Sequence, residues 1–181
     1  MVKPEFPITT ERLVLRPFTM DDLDAVHAWQ ALPEVARFLY WSARTREESR
    51  VALAAKKAWP EAVGESCSLA VQRRDTGDVI GEVHVEWTHE QWRQGEFGFV
   101  FHPDHGGRGF ATEAAEVVLR LGFVNLGLHR IIGRCDVRNT GSIKLMERLG
   151  MRKEAHFRHN DIFKGEWGEE LVYAMLDDEL S

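Results

Sequence analysis

A glycine-rich turn stands directly before a long helical pattern near the middle of the chain. The turn covers residues 105–112 and carries glycines at positions 106, 107 and 109. Residues 109–125 then place apolar side chains on one helical face and polar ones on the other, and Gly127 ends the predicted helix. Because glycine lets a ligand approach the backbone closely, and because free N–H groups at a helix N-terminus attract anions, this segment indicates a phosphate-binding site.

Three other interpretations of the turn compete with a phosphate-binding site. The glycines are equally compatible with a plain tight turn between a strand and a helix. A dinucleotide-binding fold is the main rival, since Gly107-x-Gly109-x-x-Thr112 resembles the G-x-G-x-x-G pattern and Asp136 follows one helix later. Thr112 replaces the third glycine, however, and too little chain follows for a doubly wound sheet. No Gly-Lys-Ser or Gly-Lys-Thr follows the turn, which argues against a nucleotide P-loop.

The first third of the chain predicts one strand and two helices. Residues 10–18 alternate apolar and polar side chains, as a half-buried strand does. Thr19 begins the first helix. A capping-box pattern predicts a second helix over residues 45–59, which Pro60 stops.

The remaining patterns predict an α/β (α+β) fold. A helix is expected at 140–149, and strands at 66–72, 79–87, 96–101, 128–137, 151–158 and 171–176. The order is therefore β, α, α, three strands, and then αβαββ. We expect one domain over residues 1–181, with its core at about 9–177.

The charge balance argues against several classes of function. The chain of 181 residues is long enough for one well-buried core, and its formal net charge is −6. Binding to nucleic acid or to an anionic membrane needs a basic face. No run approaches the roughly 18 apolar residues of a membrane span, and the first residues lack the apolar core of a signal peptide. We therefore expect a cytoplasmic protein that binds neither nucleic acid nor membrane.

The cysteines and histidines do not indicate a metal site. Cys67 and Cys135 each lie in a strand-like run, which favours reduced, buried thiols over a disulfide framework. The pairs His102 and His105, and His156 and His159, have a spacing of three, but no cysteine or carboxylate completes a recognised ligand pattern around them. We expect no metal.

Several segments together resemble the GNAT superfamily of N-acetyltransferases, and within it the RimJ/RimL type that acetylates the N-termini of ribosomal proteins. The similarity covers nearly the whole chain in the right order. The segments that carry it are Thr10–Phe18, His102–Ala114, Leu126–Ile131, Asn139–Ser142 and Glu147–Met151.

This resemblance implies a GNAT fold, with a mixed, mostly antiparallel sheet of about seven strands flanked by about four helices. It also implies acetyl-CoA as the donor. The backbone of Phe99, Val100 and Phe101 would pair with the pantetheine arm like an added strand. The pyrophosphate would meet Gly106, Gly107, Arg108, Gly109, Phe110, Ala111 and Thr112, and Asn139 would bind the pantetheine arm. Gly106 departs from the family pattern, which has arginine or glutamine there, but binding by backbone amides does not need that side chain.

Acetyl transfer requires an amine that has lost its proton, and two carboxylates are candidates to receive it. Glu96 lies at the head of the strand before the turn, where similar enzymes place a base, although it also suits an exposed strand end. Asp161 matches the place beyond the last helix where the RimL-like branch has a carboxylate. His159 is a further candidate, and both residues also suit a polar hairpin loop.

The departing CoA thiolate requires a proton. Many similar enzymes supply it from a tyrosine that here corresponds to Met146, so Ser142 in the first turn of the last helix is the remaining hydroxyl. The helix dipole favours developing negative charge there. The competing interpretation is plain helix capping by Thr140 or Ser142. Cys135 is expected near the cofactor thiol but not as a nucleophile.

The leading interpretation is an acetyl-CoA-dependent acetyltransferase for a primary amine, with a protein N-terminus as the first acceptor. Polyamines or aminoglycosides are the alternative. A CoA-binding module without catalysis is a second alternative, supported by the missing tyrosine. A homodimer is left open. Aromatic side chains are candidates for the acceptor cleft or, more commonly, for the core: Trp29, Phe38, Tyr40, Trp41, Trp87 and Trp92.

Overall fold

A computed structural model describes residues 1–180, which form a large sheet with helices on both faces. The helices are α1 Leu23–Gln30, α2 Pro33–Ala36, α3 Arg46–Ala54, α4 Phe110–Arg120 and α5 Thr140–Arg148. The strands are β1 Ile8–Thr9, β2 Leu13–Arg16, β3 Ser66–Arg73, β4 Val79–His89, β5 Gln94–Phe101, β6 Arg130–Asp136, β7 Arg152–Phe157, β8 Ile162–Phe163, β9 Glu166–Trp167 and β10 Glu170–Leu176.

The large sheet has eight strands in the order β1-β2-β3-β4-β5-β6-β10-β7, and β8 and β9 form a separate hairpin. Every neighbouring pair in the large sheet is antiparallel except β5 and β6, which are parallel. The sequence predicted three successive strands here, and in the structure β3, β4 and β5 pair antiparallel in that order. The mixed, mostly antiparallel fold is therefore confirmed.

The parallel pair is short and then opens. β5 and β6 pair only from Gln94 to Glu96 and from Arg130 to Ile132. Beyond these residues β5 stays paired with β4 up to Phe101, and β6 stays paired with β10 up to Asp136. The two strands therefore part in the middle of the sheet, and Phe97–Phe101 has one backbone edge without a strand partner.

The two faces of the sheet carry different side chains. Val85, Phe97 and Ile131 lie on the face covered by α4 and belong to the main core. Strand alternation puts Glu82, His84 and Glu86 of β4, and Glu96 of β5, on the opposite face. On that face α1 contacts β4, and Lys56, just after α3, pairs with Glu82. The gap between β5 and β6 thus opens between an apolar face and a charged face.

The large sheet has eight strands and the chain has five α-helices, which agrees with the expected sheet of about seven strands flanked by about four helices. One helix boundary needs correction. The capping box at Thr45 forms, but α3 ends at Ala54 and not at Trp59. The helix stops early because the chain turns back to the sheet: the Lys56 ammonium donates to Glu82 at 2.8 Å and the Lys57 carbonyl accepts from the Ser68 N–H at 2.8 Å.

Glu113 joins the first turn of α4 to the start of the sheet through hydrogen bonds. Its carboxylate accepts from the Thr10 hydroxyl at 2.6 Å, from the Arg12 N–H at 2.9 Å and from the Arg12 Nε at 2.7 Å. Burial opposes ionisation, but these hydrogen bonds outweigh it and lower the pKa of Glu113. The guanidinium of Arg12 also donates to the Arg108 carbonyl at 2.8 Å, so the glycine-rich turn and the helix are held together.

Candidate functional site

The glycine-rich turn forms an exposed cradle at the N-terminus of α4. Gly107 has φ +72° and Gly109 has φ +82°, a left-handed conformation that L side chains rarely adopt. Gly109 is the N-cap residue of α4, and the first N–H groups of a helix have no partner within the helix. A Cβ at Gly107 would meet nothing within 4 Å, so the space in front of the cradle is open. An anion of phosphate size can approach these amides directly.

Phe97 and Met146 pack closely over Gly133 where the gap between β5 and β6 begins. A Cβ there would lie 2.5 Å from the Phe97 ring and 2.8 Å from the sulfur of Met146. Met146 is 1% exposed, and its sulfur packs beside Gly133 at the closed end of the gap. Phe99 stacks beside Phe97 at a centroid distance of 6.1 Å. An extended, mainly apolar chain can lie along the free edge of β5.

The N-terminus of α5 follows the open end of β6. Asn139 is the N-cap residue, and its Oδ1 accepts from the Ser142 N–H at 3.1 Å. Asn139, and not Thr140 or Ser142, therefore supplies the capping oxygen, so the competing interpretation of Ser142 as a helix cap does not hold. Ser142 lies in the first turn and is half-buried, and the Asn139 amide nitrogen is left for another contact.

Three charged side chains form a chain across the gap on the face opposite α4. The guanidinium of Arg134 lies 3.1 Å from the Glu96 carboxylate and 3.1 Å from the Glu170 carboxylate. Burial raises the pKa of Glu96 above its ordinary value, although Arg134 works against that shift. Glu86 is the cross-strand partner of Glu96 and adds a further negative charge. The cluster is acidic overall and suits a cationic ligand.

The β8–β9 hairpin and the segment after α2 border the same face. Tyr40 packs edge-on against Phe163 with a centroid distance of 5.5 Å, and Lys164 donates to the Ala36 carbonyl at 2.6 Å. Partial desolvation and the carboxylates of Glu170 and Asp161 raise the pKa of Tyr40. Asp161 lies directly before β8, near enough to Tyr40 for its charge to act on that side chain.

Other predicted residues lie away from this face or play a packing role. Cys67 and Cys135 are buried and free. Burial, with the carboxylates of Asp136 and Glu170, raises the pKa of Cys135 to about 11, so its thiol stays protonated at neutral pH. Trp29 is a core residue at 1% exposure. Trp92 stacks on His89 in the β4–β5 hairpin, and His159 stacks on the exposed Trp167.

Sequence reasoning missed Arg134 and Glu170. Glu170 adds a carboxylate to the acidic cluster, and Arg134 pairs with both Glu170 and Glu96. The alternation of Ile132, Arg134 and Asp136 along β6 was a usable signal, because it places charges on one face of a central strand. A charged residue in the middle of a sheet commonly has a partner on a neighbouring strand.

A family model described as an acetyltransferase (GNAT) domain matches residues 12–152. The chain belongs to this family. As a GNAT protein it is 32% identical over 173 residues to the uncharacterized N-acetyltransferase YnaD of Bacillus subtilis, covering 95% of this chain and 98% of the relative. It is 24% identical over 153 residues to spermidine N(1)-acetyltransferase of Escherichia coli strain K12, covering 84% of this chain and 80% of that enzyme.

The fold of this GNAT protein also matches solved structures. An acetyltransferase (GNAT family) from Bacillus anthracis superposes with a TM-score of 0.86 at 30% identity, covering 96% of this chain and all of the other. The protein is therefore a GNAT-type N-acetyltransferase. Within residues 1–180, no helix is both long and apolar enough to cross a membrane, and no group of three or more His, Cys, Asp or Glu is arranged to hold a metal ion.

If the glycine-rich cradle binds the CoA pyrophosphate, Gly107→Ala should weaken CoA binding. The new methyl group would project into the open space before the amides and would strain a positive φ, so we expect the Kd for CoA to rise about tenfold or more. Isothermal titration calorimetry measures this.

Gly127→Ala is the matched control, because Gly127 has φ +71° and an equally open environment at the far end of the helical segment. It carries the same strain, about 1–2 kcal/mol, without touching the cradle. Equal CoA affinity in both variants would contradict the assignment of the cradle.

Proposed function

We propose that the protein transfers the acetyl group of acetyl-CoA to a primary amine by direct attack of the amine on the thioester. The observation that carries this proposal is the gap between β5 and β6, which ends beside the glycine-rich cradle of α4. The two features together accommodate a diphosphate followed by an extended arm. In this assignment Gly106–Thr112 hold the pyrophosphate, and the backbone of Phe99–Phe101, with Asn139, holds the pantetheine arm.

The acceptor approaches from the charged face, opposite α4. Glu96, Glu170 and Asp161 favour an ammonium group there, because opposite charges attract strongly where water is partly excluded. Glu96 lies at the level where β5 and β6 part, so we assign it, with Asp161 as the second carboxylate, to receiving the amine. Arg134 keeps Glu96 aimed across the gap.

The first acceptor we propose is the α-amine of a protein N-terminus, which the resemblance to the RimJ/RimL type implies. A polyamine is the second proposed acceptor. The acidic cluster and the similarity to the E. coli spermidine enzyme both support it. A cytoplasmic location accompanies either acceptor in this proposal.

Ser142 is the proposed proton donor to the leaving thiolate. Its hydroxyl lies in the first turn of α5, where the helix dipole stabilises negative charge, and Met146 offers no proton at the usual tyrosine position.

Release of free thiol from acetyl-CoA tests the proposed function. The panel contains spermidine, spermine, an aminoglycoside and a peptide with a free N-terminus, and the same peptide with an acetylated N-terminus is the matched control. We expect thiol release that depends on the presence of one of the free amines. Tight CoA binding without release for any amine would instead support a non-catalytic CoA-binding module.

Ser142→Ala is predicted to lower kcat about 100-fold while leaving the Kd for CoA unchanged, because only proton transfer to the thiolate is lost. Thr140→Ala removes an exposed hydroxyl two residues earlier on the same helix and serves as the control. A Ser142→Ala variant with the kcat of the wild type would refute the assignment.

A further inference from the structure

His84 of β4 lies across the neighbouring strand β5, beside the gap. Its partner in the ladder is Gly98. A Cβ at Gly98 would lie 2.6 Å from the His84 Cε1 and 2.7 Å from its Nε2. The imidazole therefore occupies the space that a side chain at position 98 would take, and only glycine permits this placement.

Gly98 is two residues beyond Glu96, the last residue of β5 that pairs with β6. One edge of β5 at this level is therefore open to the gap. Strand alternation puts His84 on the same face as Glu96, which is the face opposite α4. The imidazole thus stands next to the gap on the side from which the acceptor approaches.

The charged groups around His84 come from three elements. Glu82 and Glu86 flank it on β4, Glu96 lies diagonally across on β5, and Lys56 reaches in after α3 to pair with Glu82. Burial lowers the pKa of His84 below 6.5; Glu82 opposes this shift and Lys56 adds to it. The imidazole is therefore neutral at pH 7 and able to accept a proton.

Glu96 and His84 differ in their ion-pair partners. The Glu96 carboxylate is in an ion pair with Arg134, which stabilises its charged form, although burial raises the pKa of Glu96 overall. The paired carboxylate can attract an ammonium group, and a neutral imidazole nearby can remove the proton.

Resting on the proposed function, we infer that the imidazole of His84 is the proton acceptor of the acetyl transfer. The acceptor's ammonium group gives one proton to the imidazole, and the resulting amine nitrogen forms its bond to the thioester carbon. The carbon–sulfur bond then breaks, and the thiolate leaves with the electron pair and is protonated. The amine nitrogen loses its second proton, so the products are the amide, free CoA and one proton in solution.

The test compares His84→Gln with wild type, using the best acceptor of the amine panel. We expect kcat to fall about 100-fold or more, and the acid limb of the pH profile of kcat/KM, where His84 becomes protonated below pH 6.5, to disappear. Glu96→Gln should instead raise the KM for the amine. His89→Gln, five residues along the same strand and stacked on Trp92, should match wild type.

A weakly basic acceptor separates proton removal from a structural role. Trifluoroethylamine is largely deprotonated at neutral pH, so the ratio of the wild-type kcat to the His84→Gln kcat should shrink toward one. Gly98→Ala is a second variant, which keeps the imidazole but displaces it, and it should show the same dependence on acceptor basicity.

The outcomes distinguish this inference from the proposed function. An undiminished kcat in His84→Gln, or an equal loss with strongly and weakly basic amines, would overturn the role of His84 alone. Wild-type protein that binds CoA but shows no acceptor-dependent turnover would overturn both.

Discussion

The separation of β5 from β6 after Glu96 and Ile132 is the constraint on which the site depends. It leaves one backbone edge of Phe97–Phe101 without a strand partner in the middle of a sheet. Such an edge has unpaired N–H and C=O groups that an extended ligand can satisfy. Phe97 and Met146 pack over Gly133 at the closed end, so the gap is a fixed feature of the core.

The two faces that meet at this gap carry different kinds of functional group. The α4 face supplies backbone amides at the glycine-rich turn, and these need no particular side chain at Gly106. The opposite face supplies side chains with charge, namely Glu96, Arg134 and Glu170, together with His84. In the proposed assignment, a ligand held by main-chain groups on one face meets titratable groups on the other.

Sequence patterns predicted the features that depend on local chemistry. The glycine turn, the amphipathic α4 and the order of strands follow from backbone preferences and periodicity, and the family resemblance supplied the sheet arrangement. The end of α3 was missed because Lys56 is drawn to Glu82, a partner 26 residues away. Arg134 and His84 were missed for the same reason, since their neighbours Glu170 and Gly98 come together only through the sheet register. The roles of Ser142, Glu96 and Asp161 stay predictions, because they depend on the acceptor.

Backbone hydrogen exchange, followed by NMR with and without saturating CoA, tests the account most directly. If the gap and the cradle hold the cofactor, the amides of Phe97–Phe101 that face the gap and the amides of Gly107–Thr112 will exchange more slowly in the complex. Amides in the centre of β3, between β2 and β4, will keep their rates. Unchanged exchange in both site segments, at a CoA concentration where calorimetry shows saturation, would contradict the account.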